Sequence, residues 1–196
     1  MKTKTRRLVE SAILIALGTV LSLFKLDMPM GGGLTICSML PLILLSHRWG
    51  WRWGVVSAGV YSVLQLLLGL DNVGYAAVGG FGMALGCIFL DYILAYLVIG
   101  FSGVFDGPDK NHRAAIATGI AVTFFARFLC HFITGVWIWN ALWPNELGMA
   151  AIPYSAAYNG WYMAGELVLT EGAAMLLYKP LRRYLCCEDL KAKAPQ

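Results

Sequence analysis

The chain has 196 residues, 59% of them hydrophobic and only 13% charged, with a mean hydropathy of +0.66 and a formal net charge of +4. Soluble domains carry about a quarter charged residues, so this composition excludes one and indicates an integral membrane protein. The positive balance follows the loops between apolar stretches, which leaves little reason to read a nucleic-acid binder.

In chain order, near-continuous apolar stretches run at residues 8 to 24, 34 to 46, 54 to 70, 76 to 101, 114 to 142 and 152 to 178. Each is set against the ~20 residues that cross a bilayer as a helix. Six transmembrane helices in an all-α membrane fold is the simplest count. No repeat or low-complexity linker divides the chain, so residues 1–196 read as one transmembrane domain. The first stretch passes straight into a loop without a small-residue cleavage pattern, and reads as a span rather than a signal peptide. Its Ala12 and Ala16, followed by Gly18, let another helix approach, from within the chain or from a partner.

The connection Leu26-Asp27-Met28-Pro29-Met30-Gly31-Gly32-Gly33 ends in three glycines. Glycine opens backbone conformations closed to other residues, so this loop reads as a candidate lid. The second stretch is short and carries Pro41, which predicts an oblique or incomplete crossing. Gly69 to Gly82 holds five glycines and reads as another mobile outer loop. Threading six spans alternately puts the N-terminal Lys2, Lys4, Arg6 and Arg7 on one side with Arg48, Arg52, Lys110, Arg113 and the C-terminal basic residues. Only Lys25 falls on the other side. By the positive-inside rule both termini are cytoplasmic.

Ionisable side chains within a bilayer cost roughly 2.5 to 3.5 kcal/mol each on insertion, so they mark function or an internal pair. Asp91, Arg127, His131, Glu166 and Glu171 qualify. Asp91 has no charged neighbour along span four and reads either as a counter-ion for a cationic ligand or as a structural partner of Arg127. Arg127 reads mainly as support, with Glu166 or Glu171 as other partners. In span five, His131, Gly135 and Trp139 recur every four residues, a drift of only about 40° per step, and so share one helical face. That face offers a titratable group, a gap and an aromatic surface. Span six opens with Tyr154-Ser155-Ala156-Ala157-Tyr158-Asn159-Gly160, where Asn159 supplies both a donor and an acceptor. Trp137, Trp143, Tyr158 and Trp161 read as interfacial or packing aromatics. The five cysteines have no disulfide or zinc spacing. With no phosphate-binding loop, metal-ligand cluster or hydrolase motif, nothing supports an enzyme, a metal or a cofactor.

These residues resemble the thiamine-binding S components of energy-coupling factor (ECF) transporters, the ThiT type. Leu90-Asp91-Tyr92 resembles the family's acidic-Tyr motif. His131 to Trp139 resembles its His-x-x-x-Gly-x-x-x-Trp segment, and Tyr154 to Gly160 its Tyr-Ser-x-x-x-Asn-Gly segment. Gly31-Gly32-Gly33 with Met39-Leu40-Pro41 resembles the first loop and second span, and Ala12 and Ala16 the Ala-x-x-x-Ala of span one. The resemblance runs in order over nearly the whole chain.

It implies that Asp91 faces the thiazolium and that Trp139 stacks on a ligand ring. His131, Tyr154 and Asn159 then hydrogen-bond the aminopyrimidine or hydroxyethyl group, while Tyr92 and Gly135 complete the wall. It also implies high-affinity thiamine capture in a prokaryotic cell membrane, without chemical change or cofactor. Delivery would use a transmembrane coupling subunit and two cytosolic ATPases, docked at Ala12 and Ala16. Some family members place a Trp in the first loop over the ligand, where this chain has glycine near position 32; the lid contact is then either weaker or supplied by Met28, Met30 or Phe81. Some also carry Glu at the position of Asp91. Two other functions share much of the pattern. One is an S component for another vitamin or a thiamine precursor, and the other is a stand-alone carrier coupling protons through Asp91 and His131.

Overall fold

The computed structural model describes residues 3–27, 33–107 and 112–190. Its helices are α1 (Thr3–Leu23), α2 (Leu40–Trp49), α3 (Trp51–Leu68), α4 (Leu70–Val78), α5 (Phe81–Phe105), α6 (Arg113–Leu142) and α7 (Ala151–Leu185). The helices α5 and α6 are each long and apolar enough to cross a membrane. The pair α3 and α4 qualifies together but bends by 65° at Gly69.

Two stretches differ from the sequence expectation. The first loop begins and ends as an antiparallel ribbon, β1 (Lys25–Asp27) against β2 (Gly33–Thr35), with Lys25 opposite Thr35. Met28, Met30, Gly31 and Gly32, the candidate lid contacts, lie outside the described residues. The apolar stretch at 34 to 46 is therefore a strand end, a turn and the start of a ten-residue helix. Pro41 sits in the first turn of α2, where its missing N–H breaks no helical bond. The helix spans only about 15 Å, and it can be short because its neighbours enclose it. Leu42, Ile43 and Leu45 are fully buried. Gly50, at φ +85°, ends α2 and starts α3 directly.

The segment Gly69 to Gly82, expected as a loop, is mostly the helix α4, punctuated by Gly69 and by Gly79–Gly80. The elbow is fixed by a side chain from α5. The Tyr92 hydroxyl donates to the Gly69 carbonyl at 3.1 Å and accepts from Asn72 Nδ2 at 2.9 Å. A Cβ at Gly69 would overlap that hydroxyl.

Small residues let the central helices touch backbone to backbone, as apolar surroundings favour. Gly54 of α3 lies against the Gly100 carbonyl of α5, Gly103 against Ser46 of α2, and Gly119 of α6 against Ser102. Ser46 bridges the contact, donating to the Gly100 carbonyl at 2.6 Å and accepting from the Gly103 N–H at 2.9 Å. In α1, Gly18 faces inward onto Ser38 and Tyr61, whereas Ala12 and Ala16 are exposed on another face.

The end of the bundle away from the ribbon is tied by Arg48, whose side chain is wholly buried. It donates to Glu10 of α1 at 3.0 Å, to Asp189 at 2.7 Å and to the Tyr184 carbonyl, and its guanidinium stacks on the Tyr184 ring. Its hydrogen bonds hold the Asp189 carboxyl below the ordinary carboxylate value. Three distant parts of the chain are thereby joined at one charge.

Candidate functional site

At the ribbon end, α1, α3, the start of α4, α5, α6, α7 and the ribbon line a cavity of about 600 Å³. All seven residues singled out from sequence line it: Asp91, Tyr92, His131, Gly135, Trp139, Tyr154 and Asn159. Arg127 lines it too.

Asp91 sits on the π-helical stretch Cys87–Leu94 of α5, and Trp139 ends a second π-helical stretch, Gly135–Trp139 of α6. Such turns are rare and concentrate at functional sites. The second one also refines the shared face of His131, Gly135 and Trp139. An α-helical step of four over-rotates, whereas a wider π turn under-rotates, so Trp139 swings back into line with His131.

The carboxylate of Asp91 is buried and held by three side chains of α6. Its Oδ1 accepts from Thr134 Oγ1 at 2.5 Å and lies 2.9 Å from His131 Nδ1, while Oδ2 accepts from Trp139 Nε1 at 2.9 Å. A carboxylate offers about four lone-pair sites, so one on Oδ2 remains. Arg127 does not pair with Asp91: it donates instead to Glu166 of α7, with the Tyr96 ring under its guanidinium at 5.2 Å. Of the two partners considered for Arg127 on span six, Glu166 is used, and half-buried Glu171 does not line the cavity. His131 Nε2 is buried without a partner among the described residues, and it is the acceptor of a neutral ring whose Nδ1 donates to Asp91.

Gly135 has a different neighbour from the one its spacing suggested. Its missing side chain makes room for α7, while Gly135 also lines the cavity: a Cβ there would overlap Ser155 Oγ and lie 2.9 Å from Asn159 Nδ2. Ser155 Oγ in turn donates to the Phe132 carbonyl at 2.9 Å, so the α6–α7 crossing is set at this point. Gly135→Ala is expected to cost about 1 to 3 kcal/mol, as overpacking does. A lowered melting temperature of the purified chain, accompanied by weaker ligand binding, is the check.

Asn159 Nδ2 donates to Ser155, with its carbonyl and its Oγ at 3.0 Å each, and Oδ1 accepts from Tyr162 at 3.2 Å. Its Oδ1 keeps one acceptor site for a ligand. Tyr154 also lines the cavity, with its ring tilted against Tyr158 at 5.9 Å. Trp139 stacks on Trp143 at 5.9 Å. Trp143 and Tyr158, grouped from sequence with the interfacial or packing aromatics, also line the cavity, Trp143 while 52% exposed; the exposed Trp137 and Trp161 do not line it. Phe81 is 79% exposed and takes no part in the lining, so it does not supply the lid contact considered for it.

A model of the family described as "Thiamine transporter protein (Thia_YuaJ)" matches residues 8–185, most of the chain. The chain belongs to that family. The thiamine transporter ThiT of Bacillus subtilis is 28% identical over 191 residues, covering 91% of this chain and 93% of that protein. ThiT of Lacticaseibacillus paracasei is 28% identical over 143 residues, covering 67% of this chain and 66% of that protein. In fold, the chain is similar to the solved structure of ThiT from Listeria monocytogenes, with a TM-score of 0.73, 23% identity, and coverage of 94% of this chain and 99% of that one. Family membership together with the apolar helices makes this a multi-pass prokaryotic membrane protein.

Several members of the site escaped sequence reasoning. Thr134 was within reach, because it follows His131 by three residues on nearly the same face. Gln65, Asn72 and Tyr96 had no such signal: they come from elements whose approach to the cavity depends on how the helices pack.

Proposed function

We propose that this chain is the thiamine-capturing S component of an ECF-type transporter, a single domain over residues 1–196 spanning the membrane six times with both termini cytoplasmic. The observation that carries the reading is the Asp91 carboxylate. It is buried on the cavity wall, and its described partners are two neutral donors and the His131 imidazole. The other buried anion of the cavity, Glu166, is compensated by Arg127. The wall thus favours a cation, and the adjoining Trp139 and Trp143 rings offer faces to a flat heterocycle. Thiamine carries a fixed positive ring joined to an aminopyrimidine. The acceptor atoms left on His131 and Asn159 suit that amino group, once the His131 ring has moved enough to expose Nε2.

Capture involves no bond making or breaking. Uptake is proposed to require a transmembrane coupling subunit and two cytosolic ATPases, with the exposed Ala12 and Ala16 of α1 as the docking face. Thiamine is expected to bind the purified chain and quench its tryptophan fluorescence, and Trp139→Ala is expected to weaken binding by roughly 30-fold, as truncating a buried aromatic anchor does. Absence of binding, or an unaffected Trp139→Ala variant, would sink the assignment. Liposomes containing only this chain are expected to show no uptake under a pH gradient, which separates the proposal from a proton-coupled carrier.

A further inference from the structure

The geometry points to Glu166 as the fastening that holds β2 of the first loop against the cavity, making Glu166 and Thr35 positioning residues that set how long a bound ligand stays. The inference rests on the reading of the cavity as a thiamine site. Thr35 donates twice to Glu166 Oε1, through its backbone N–H at 2.9 Å and its Oγ1 at 2.5 Å. Glu166 Oε2 accepts from Arg127. A carboxylate that is 2% exposed needs full compensation, and here one half comes from α6 and the other from the ribbon. Ser38 Oγ, 2.6 Å from Thr35 Oγ1, supports the threonine from the turn that follows.

A second contact, one residue earlier on both sides, acts independently. Leu34 is buried against Gly165, where a Cβ would overlap Leu34 Cδ1. Strand β2 therefore docks on α7 by an apolar contact and a charged hydrogen-bonded one. Gly33, Thr35, Glu166 and Arg127 all line the cavity that holds Asp91 and His131, and Arg127 lies one turn from His131 on α6. A wall strand is thus tied to the floor of the site through a buried ion pair. Neither Glu166 nor Thr35 belongs to the motifs that mark the site in the sequence.

The test uses the full chain in detergent with Thr35→Val, Thr35→Ser and Leu34→Ala. Thiamine release is timed by chasing the bound complex with excess unlabelled competitor, and amide exchange of the peptide containing β2 is followed without ligand. Losing a hydrogen bond to a charged acceptor predicts release about tenfold faster in Thr35→Val. Leu34→Ala is expected to behave likewise, with faster exchange at β2 in both variants. Thr35→Ser keeps the hydroxyl and is expected to match the unaltered chain. Release from Thr35→Val at the unaltered rate, or from Thr35→Ser as fast as from Thr35→Val, overturns the fastening alone. An unaltered chain that does not bind thiamine overturns the reading beneath it.

Discussion

Asp91→Asn is expected to weaken thiamine binding by about 2 to 5 kcal/mol, or roughly 30-fold to several thousand-fold, the range for removing one partner of a buried hydrogen-bonded charge pair. Two effects act together. The variant removes the negative charge that faces the ligand's cationic ring in surroundings of low dielectric. It also turns an acceptor into a donor on one side. The amide oxygen can still accept from Thr134 and His131, but the amide nitrogen then meets Trp139 Nε1, which is itself a donor. The indole loses the bond that orients it. Titration of the purified variant checks the total, and a ligand whose thiazolium is replaced by an uncharged ring isolates the charge. That uncharged ligand is expected to lose much less affinity than thiamine does when the carboxylate becomes an amide. Equal losses for both ligands would show that Asp91 orients the wall without acting as counter-ion.

The largest stability effect is expected at Arg127 and Glu166. Arg127 is 5% exposed and Glu166 is 2% exposed, so either alone would be an uncompensated buried charge. Arg127→Met and Glu166→Gln are each expected to cost about 3 to 5 kcal/mol, read as a fall in the melting temperature of the detergent-purified chain. Replacing both, with Arg127→Met and Glu166→Leu, is expected to recover most of that loss, because desolvation of the pair offsets much of its attraction. A double variant no more stable than the singles would contradict this account. The double variant also leaves Thr35 without its acceptor, so it separates overall stability from retention of the strand.

How much of this was legible in the sequence differs from residue to residue. Asp91, His131 and Trp139 stood out because an ionisable or broad polar-edged side chain in an apolar stretch is costly unless it is used. Spacing put His131 and Trp139 on one face, and the π turn improved on that expectation. The partner of Arg127 was not legible. Asp91, Glu166 and Glu171 were all chemically suitable, and the choice depends on the separation of helices far apart in the chain. Gly135 was read as an opening in the pocket wall; it lines the cavity, and the room that its missing side chain leaves is taken by Ser155 of α7, which spacing along one helix could not show. The helix α4 was read as a loop because its flanking glycines signal a break, and only the Tyr92 hydroxyl shows that the break is a fixed elbow.

The sequence by itself determined the membrane class, the main apolar helices and the residue types of the cavity wall, because burial in lipid imposes a composition and a period that can be read locally. Only the tertiary structure decided which charges pair, which glycine admits a helix and which strand closes on the cavity. Those outcomes depend on contacts between residues far apart in the chain, 131 positions for Thr35 and Glu166 and 141 for Arg48 and Asp189, and no local pattern encodes such a distance.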